Sequence, residues 1–287
     1  MRISGVTLGY RAVANGYPVA ECVRCLLSFC DEVVANVGNS DDGTVEKLKA
    51  LGDPRVTLVG DPWDLSLREK GLLLSRETNR AMERCRGDWV VYLQADEVLH
   101  EDDIAGLRKS LDENMSRPRV DGVSFRYLHF YGSPAYVQDN PLRWYTRAVR
   151  AVKTGRQIVS VGDALKFRRM EGGRARRVRE VRSPFRVFHY GWARPPGVML
   201  EKQKHLDRFW HDDRSLEERY AGMTAERIYS DTSHLVPFGG THPVFMREAV
   251  AAANWRFEPR LDRRPRWLRL GTAFAVHPFV KLRGDAR

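Results

Sequence analysis

The sequence predicts an α/β fold in which a mostly parallel sheet is flanked by helices. Over about the first 100 residues, short β-type runs alternate with helical patterns, which is the order that parallel strands joined by right-handed crossovers require. A second observation is the apolar run 89–93, which is typical of a buried strand and is soon followed by the adjacent carboxylates Asp96 and Glu97. The length of 287 residues with 43% hydrophobic content is enough for one large α/β domain with a smaller appendage.

The individual elements follow from hydrophobic periodicity and from turn residues. In chain order we predict a strand at 3–8, a helix at 18–29, a strand at 32–37, a helix at 44–51, a strand at 55–59, a helix at 69–84 and the strand at 89–93. The segment 197–220 carries apolar residues among charges and predicts an amphipathic helix that packs on the main domain. A position at a membrane interface is the alternative for that helix.

Composition points to a protein of the cytoplasm. The N-terminus lacks the apolar stretch of a signal peptide, and no window reaches about 20 consecutive apolar residues. Four cysteines are too few for a disulfide scaffold, and Cys22, Cys25 and Cys30 lack a second pair of metal ligands, which disfavours zinc. Cys22 continues the apolar stripe of the helix at 18–29, so core packing explains it.

The net charge of +11 is concentrated in two segments. Arginines crowd residues 168–182 and again residues 260–269. Either cluster could face phosphate or anionic lipid, and an ordinary solvated surface is the alternative. No base-stacking aromatics or nucleic-acid motif accompany the arginines, which argues against nucleic acid as a partner. Residues 267–282 form a further basic and apolar surface that is too short and interrupted to span a membrane.

The carboxylates after the strand at 89–93 predict a metal-dependent transferase. Ligands of open α/β sheets bind at the carboxyl ends of the strands. Hard oxygen ligands such as Asp96 and Glu97 suit Mg²⁺ or Mn²⁺, which neutralises a substrate diphosphate. An acidic turn without a ligand is the alternative interpretation.

The polar turn 38–44 is a second candidate site. Ser40, Asp41 and Asp42 lie between a predicted strand and a predicted helix, where such side chains can contact ribose, base or phosphate. They could equally be turn and N-cap residues. The position of the turn, about one βαβ unit ahead of the carboxylate strand, favours the binding role.

These segments resemble the family 2 glycosyltransferases, which have the Rossmann-like GT-A fold. Residues 31–46 resemble the second-strand signature of that family, in which a serine precedes Asp-Gly-Thr. Residues 94–97 resemble its metal motif, two aspartates separated by one residue and often followed by glutamate. Asn79 also matches the family pattern, and together these matches cover about the first 105 residues.

Later segments resemble a bacterial branch of the same family, so the resemblance runs almost end to end. These segments are residues 129–133, 160–164, 188–196 and 240–243. The resemblance implies a catalytic domain at 1–195, with a nucleotide-sugar-binding half at 1–105 and an acceptor half at 106–195. A mostly helical C-terminal extension at 196–287 would pack on it.

The resemblance implies transfer of a sugar from a nucleoside-diphosphate sugar to a hydroxyl of a glycan or lipid-linked acceptor, with inversion at the anomeric carbon. Mn²⁺ or Mg²⁺ would stabilise the leaving diphosphate. Asp96 is the implied metal ligand, with Glu97 as an alternative ligand or a support behind it. His189 is a further candidate, because GT-A enzymes often supply a late histidine to the ion or the diphosphate. A core histidine is the alternative there.

Six residues are implied for contact with the donor. They are Thr7, Ser40, Asp42, Asn79, Gln94 and Arg194. The chain departs from the family pattern twice: Gln94 stands where the first aspartate of the metal motif usually lies, and Val37 stands where an aspartate usually contacts the donor base. Recognition of the base is therefore unassigned.

Asp163 is the predicted catalytic base. It lies between the small residues Gly162 and Ala164 after a β-like run, so its carboxylate would be accessible to an acceptor hydroxyl. Asp139 and Glu171 are rival candidates. The arginines at 168–182, with Gly172 and Gly173 as hinges, could form a basic lid over the diphosphate or a dock for an anionic acceptor.

Two other classes compete with a glycosyltransferase. A nucleotidyltransferase would also combine a parallel sheet with metal-binding carboxylates, but the usual glycine-rich basic loop near the N-terminus is missing. A non-catalytic basic protein on a degenerate scaffold could bind nucleic acid or anionic membrane, and Gln94 and Val37 would suit it. The resemblance favours the enzyme, in bacterial glycan or envelope polysaccharide synthesis and with peripheral contact at the inner face of the membrane.

Overall fold

In a computed structural model, which describes residues 1–232, 234–262 and 264, the chain forms a ten-stranded sheet and a separate three-stranded sheet. The strands are β1 Ile3–Leu8, β2 Glu32–Asn36, β3 Val56–Val59, β4 Trp89–Tyr92, β5 Glu97–Leu99, β6 Gly122–Tyr131, β7 Ser133–Gln138, β8 Arg147–Lys153, β9 Ile158–Val161, β10 Lys166–Glu171, β11 Arg174–Arg177, β12 Glu180–Trp192 and β13 Leu235–Pro237. The helices are α1 Val19–Leu27, α2 Thr44–Lys49, α3 Leu72–Met82, α4 Glu101–Met115, α5 Pro196–Asp207, α6 Asp213–Tyr220 and α7 Arg247–Ala251. Short 3₁₀ turns lie at Ala225–Arg227 and Val244–Met246.

The main sheet combines a parallel half with an antiparallel half. Its strand order is β13-β7-β6-β8-β4-β1-β2-β3, and the pairs among β3, β2, β1 and β4 are parallel. Antiparallel pairing begins where β8 joins β4 and continues through β6, β7 and β13. The long β12 lies parallel to β6 and also pairs with the short β5. The predicted fold class is confirmed, and each predicted strand bound in the parallel half lies within one residue of the observed one.

Two hydrophobic layers cover the two faces of the parallel half. Because side chains alternate along a strand, Trp89 and Val91 of β4 pack in the layer that contains α1, whereas Val90 and Tyr92 pack in the layer that contains α3. Cys22 lies in the α1 layer, which confirms its packing role. The layer in which a strand residue lies therefore decides whether its side chain faces α1 or α3.

The segment predicted as one helix at 197–220 forms two helices, and that prediction was wrong. The α6 helix begins anew because the Asp212 carboxylate accepts a hydrogen bond from the Ser215 amide at 2.8 Å, a normal N-cap. Phe209 and Trp210 lie in the break between the helices. The later strand β13 pairs with β7, so this segment also extends the main sheet. The predicted surface at 267–282 lies outside the described residues, and so do Arg263, Arg266 and Arg269 of the second arginine cluster.

The first arginine cluster forms much of the three-stranded sheet β9-β10-β11. The residues of β11 are exposed along its whole length. The antiparallel register places Arg168 opposite Arg177 and Arg169 opposite Arg176, and like charges directly opposite each other destabilise a sheet. Asp121 and Glu171 offset Arg169 with ion pairs at 3.6 and 2.9 Å.

Within the described part of the chain, no helix combines the length and apolar character that crossing a bilayer requires.

Candidate active site

A cleft of about 260 Å³ opens at the carboxyl ends of β1 and β4. Its floor comes from the last residues of these strands and from the loop that follows β4. The α5 helix and the turn between β9 and β10 form further walls. Aromatic rings line much of the cleft, whereas its charged groups are few. The lining includes Tyr10, Tyr17, Trp63, Trp144, Tyr145, Trp192, Phe209 and Trp210.

Asp96 lies on the floor of this cleft with only 6% of its surface exposed. Its Oδ1 atom is 3.7 Å from Nε2 of His189. Its Oδ2 atom is 3.5 Å from Nζ of Lys202 and 3.8 Å from Nη2 of Arg194. The carboxylate therefore has a histidine on one side and two basic side chains on the other.

The surroundings of Asp96 set the charges in the site. Burial alone would raise the pKa of Asp96, but His189, Lys202 and Arg194 outweigh it and hold the pKa below its ordinary value. Burial lowers the pKa of His189 to about 3, so the ring is neutral at pH 7. Burial and the nearby Arg194 lower the pKa of Lys202 to about 7, against the opposing effect of Asp96.

A hydrogen-bond chain fixes the tautomer of His189. Nε2 of His129 lies 2.7 Å from the Tyr145 carbonyl oxygen, which can only accept, so this nitrogen carries the proton. Burial lowers the pKa of His129 to about 4, and the neutral ring presents Nδ1 as an acceptor to Nδ1 of His189 at 2.9 Å. His189 must donate there, which leaves a lone pair on Nε2, the atom that faces Asp96.

The space between this lone pair and Asp96 suits a cation. The carboxylate oxygen Oδ1 of Asp96 and the lone pair on Nε2 of His189 face each other across 3.7 Å, a separation that one metal ion can bridge with ligand bonds of about 2.1 Å. Gly191 keeps the space open, because a Cβ atom built there would lie 2.4 Å from Nε2 of His189 and 2.9 Å from Oδ2 of Asp96. Within the described residues no group of three or more His, Cys, Asp or Glu side chains could hold a metal ion. An ion at Asp96 and His189 would take its other ligands from substrate or water.

We expect Gly191→Ala to lower the affinity for Mn²⁺ by about 10- to 100-fold, because the added methyl group displaces the ligands that face each other. Calorimetric titration of Mn²⁺ measures the change. Gly197→Ala is the matched control, since a Cβ there meets no atom within 4 Å. Wild-type affinity in Gly191→Ala would show that no ion binds between Asp96 and His189.

Glu97 does not line the cleft, and of the two roles predicted for it, an alternative ligand or a support behind Asp96, its contacts fit the second. Its carboxylate is fully buried and accepts hydrogen bonds from Nε and Nη2 of Arg150 at 3.1 and 3.0 Å. The Tyr127 hydroxyl and the Gln94 amide donate to the same carboxylate at 2.8 and 3.0 Å. Both oxygens are thus engaged within the protein, and we assign Glu97 to the support of the loop that carries Asp96.

Ser40 and Asp42 join two loops and do not line the cleft. The Ser40 hydroxyl accepts from the Arg11 amide at 2.8 Å and donates to the Val37 carbonyl. The Asp42 carboxylate accepts from the Ala14 amide at 2.7 Å and from the hydroxyl and amide of Thr44. These bonds outweigh burial and lower the pKa of Asp42. The turn and capping interpretation fits both residues.

Thr7 and Val37 face the α1 layer and do not line the cleft. Thr7 is fully buried, and its hydroxyl lies 3.5 Å from the Cys22 thiol, toward α1. Val37 is buried in the α1 layer as well. Gln94, by contrast, lines the cleft, and Arg194 lies beside Asp96, so donor contact stays a prediction for both residues.

Asn79 positions the turn that carries Asp163. Its side-chain amide donates to the Ser160 carbonyl at 3.0 Å and accepts from the Ser160 amide at 2.7 Å, which fastens β9 to α3. Asp163 follows β9, is exposed and lines the cleft. Its carboxylate accepts a hydrogen bond from the Leu165 amide at 3.3 Å. Asn79 thus holds the strand that precedes Asp163 and is not part of the cleft lining.

The rivals of Asp163 and the arginine cluster lie elsewhere. Among the residues that the structure describes, Asp96 and Asp163 are the carboxylates that line the cleft, and Asp139 and Glu171 do not. The described arginines between 168 and 182 also lie outside the lining, which removes the support for a basic lid over the diphosphate.

Sequence reasoning missed Lys202, His129 and Trp63. Lys202 is one of several charged residues of α5, and no local signal separates it from the exposed Lys204. His129 belongs to a segment that resembles the family, but its pairing with His189 depends on the register of β6 with β12. Trp63 lies in a loop, where the Asn36 side chain accepts its Nε1–H at 2.9 Å and where Tyr10 stacks on it at 5.3 Å.

The parallel half-sheet places the cleft at its carboxyl ends, with a buried aspartate just beyond β4, as in the GT-A class of glycosyltransferases. The family model described as Glycosyl transferase family 2 matches residues 18–179, more than half of the chain. The protein belongs to this family.

Solved structures also resemble the chain. A fragment of S. aureus TarS is 13% identical, with a TM-score of 0.38 over 79% of this chain and 68% of that chain. The same fragment in complex with UDP-GlcNAc gives 12% identity and a TM-score of 0.37 over 79% and 69%. The mannosyltransferase PcManGT from Pyrobaculum calidifontis, in complex with GDP-Man and Mn²⁺, is 16% identical, with a TM-score of 0.44 over 97% and 81%. No curated protein matches the sequence.

Proposed function

We propose that this glycosyltransferase inverts the anomeric centre of a sugar as it moves the sugar from a nucleoside diphosphate to a hydroxyl of a glycan or lipid-linked acceptor. The observation that carries the proposal is the contrast between the two carboxylates of the cleft. Asp96 is buried among His189, Arg194 and Lys202, whereas Asp163 is exposed. One environment suits a leaving diphosphate, and the other suits a base that meets an acceptor.

Different residues would act on the leaving diphosphate and on the acceptor hydroxyl. Asp96 and His189 would hold Mn²⁺ or Mg²⁺, which supplies Lewis-acid stabilisation of the leaving diphosphate when bound. The acceptor oxygen forms a bond to the anomeric carbon as the bond to the diphosphate oxygen breaks on the opposite face. Asp163 takes the proton of the acceptor hydroxyl, and the diphosphate leaves with the electron pair of the broken bond.

Aromatic side chains supply the remaining contacts. We assign the donor base to the stacked pair of Tyr10 and Trp63, which takes over the role that Val37 leaves open. We assign the acceptor to Trp144 and Trp192, whose rings meet edge to face at 5.8 Å in the wall of the cleft. Aromatic faces pack well against the apolar faces of bases and sugars.

The cellular setting belongs to the same proposal. We propose bacterial glycan or envelope polysaccharide synthesis at the inner face of the membrane, as the resemblance implies. The exposed strand β11, with Arg174, Arg176 and Arg177, is the surface that would meet anionic lipid. No observation favours the non-catalytic binding protein or the nucleotidyltransferase over this account.

Calorimetric titration with a panel of nucleoside diphosphates and their sugars, with and without Mn²⁺, tests the proposed function. We expect one nucleotide to bind, more tightly with Mn²⁺ than with a chelator. The selected donor should release its nucleoside diphosphate on addition of acceptor glycans, and NMR of the product should show the inverted anomer. The absence of binding across the whole panel would overturn the proposal in favour of a basic binding protein.

We expect Asp163→Asn to reduce kcat by about 10²-fold or more while the donor dissociation constant changes little, because the amide cannot accept the acceptor proton. Steady-state kinetics and donor titration measure the two quantities. Asp139→Asn and Glu171→Gln, the rivals outside the cleft, are the matched controls. If Asp163→Asn keeps most of its turnover and one of the controls loses it, the residue changed in that control is the catalytic base instead.

A further inference from the structure

The guanidinium of Arg194 is buried with part of its hydrogen-bonding capacity unused. Only 3% of the residue is exposed. Its Nε donates to the Asn15 carbonyl at 2.9 Å, and its Nη1 donates to the carbonyls of Tyr190 and Gly191. Its Nη2, next to Asp96, has no hydrogen-bond partner. A buried donor of a charged group without an acceptor is costly, so this side of the site is arranged for a partner that the protein does not supply.

Lys202 brings a second cation to the same side and lines the cleft directly. It projects from α5, is 3% exposed and donates to the Gly191 carbonyl. Its ammonium group has three N–H bonds, of which one donates to the Gly191 carbonyl. Asp96 lies 3.5 Å away and the centre of the Tyr17 ring 5.0 Å away, so the group can still donate to a ligand in the cleft.

The contacts around Asp96 do not close into compact ion pairs. Direct charge-assisted N–H···O bonds are about 2.7 to 2.9 Å long, whereas Lys202 and Arg194 stay 3.5 and 3.8 Å from Oδ2. Two basic side chains face one carboxylate, and both are buried. A buried excess of basic groups is stabilised by an anion, and a divalent cation on the His189 side would add further positive charge.

We propose that Lys202 binds the diphosphate of the donor in the cleft, on the Oδ2 side of Asp96, and that Arg194 supports the same anion from behind. This inference rests on the proposed function and assigns part of the leaving-group stabilisation to side chains. The diphosphate consequently binds, more weakly, even when divalent ions are removed.

The uncharged side chain of Gln94 is consistent with a diphosphate that is stabilised by basic side chains as well as by a metal ion. The resemblance expects an aspartate at that position, and its replacement by an uncharged amide removes one negative group from the cleft. Fewer carboxylates weaken the attraction for a dication and also weaken the repulsion of a diphosphate. The two basic side chains provide charge that a weaker metal site would lack.

Titration of Lys202→Met with inorganic pyrophosphate, UDP, GDP, ADP and CDP, and with the corresponding monophosphates, tests the inference. With a chelator present, we expect wild type to prefer a diphosphate to its monophosphate, and we expect Lys202→Met to lose that preference together with at least about 10-fold of its pyrophosphate affinity. Monophosphate affinity should change much less. Lys204→Met is the matched control, because Lys204 lies on the same helix, pairs with Glu201 at the surface and is not part of the cleft lining.

Lys202→Arg and thermal unfolding of each variant separate binding from folding. Lys202→Arg keeps the basic group and should keep most of the preference for diphosphate over monophosphate. If Lys202 were purely structural, this preference would be the same in Lys202→Met and Lys202→Arg. Unchanged diphosphate and pyrophosphate affinities in folded Lys202→Met would overturn the inference and leave the glycosyltransferase proposal intact. Binding of pyrophosphate through Lys202 without any nucleotide selection would support the anion site and overturn the donor assignment.

Discussion

Asp96→Asn should reduce kcat by about 10³-fold, because the substitution removes the negative charge of the carboxylate. Oδ1 of that carboxylate faces the proposed metal ion beside His189, and Oδ2 faces Lys202 and Arg194. Charge stabilisation of a leaving group by a metal site contributes several kcal/mol, and about 4 kcal/mol corresponds to about 10³ in rate. Because asparagine has nearly the same shape as aspartate, the change in kcat measures the loss of the negative charge. Turnover of the donor selected by the nucleotide panel and calorimetric Mn²⁺ affinity are the measurements, and both should fall.

A control variant and a measurement of folding are needed to interpret the Asp96→Asn result. Asp112→Asn changes an exposed carboxylate of α4 and should leave turnover, Mn²⁺ affinity and melting temperature unchanged. Asp96→Asn also leaves Lys202 and Arg194 without their carboxylate, so thermal unfolding must show that the variant is folded at the assay temperature. Wild-type turnover and Mn²⁺ affinity in a folded Asp96→Asn would exclude Asp96 from the reaction.

The parallel half of the fold could be predicted because its signals are local. The run at 3–8 became β1 with the same bounds, and the stripe that includes Cys22 became the buried face of α1. Both signals depend on side-chain alternation or on helical periodicity within one element. The break between α5 and α6 was missed because apolar residues continue across it, and the Asp212 cap that restarts the helix resembles any other surface aspartate.

The candidate site was only partly predictable because its polar contacts join residues far apart in the sequence. Asp96 and Asp163 follow β-type runs and could be selected from the sequence alone. Ser40 and Asn79 also looked like ligand contacts, but their partners, Arg11 and Ser160, can be known only from the folded chain. Polar side chains at strand ends therefore include both groups that face substrate and groups that hold loops in place.

Thr7 shows how one residue of register decides a role. It precedes Leu8, which lines the cleft, but alternation along β1 turns Thr7 toward α1. Glu97 follows Asp96 directly and yet lies outside the cleft lining, because Asp96 lies in the turn after β4, whereas Glu97 begins β5 and its carboxylate pairs with the buried Arg150. The acidic pair that suggested two metal ligands is thus one cleft residue and one buried support.

Glu97→Gln and Arg150→Met should each lower the free energy of unfolding by about 3 to 5 kcal/mol, because each leaves the other member of a buried ion pair without its partner. Both side chains are 0% exposed. The Arg150 guanidinium also lies 5.2 Å from the ring centres of Tyr92 and Tyr127, so it fastens β8 to β4 and β6. Urea unfolding followed by tryptophan fluorescence measures the change.

The double variant distinguishes a structural pair from a ligand. When Glu97→Gln and Arg150→Met are combined, no uncompensated charge remains, so the loss of stability should be smaller than the sum of the two single losses. Glu113→Gln, which breaks the exposed pair with Lys109, should cost less than about 1 kcal/mol. Folded Glu97→Gln should also keep its Mn²⁺ affinity within a few-fold. A large loss of Mn²⁺ affinity with unchanged stability would instead place Glu97 among the ligands, and the loop after β4 would then have to rearrange when the ion binds.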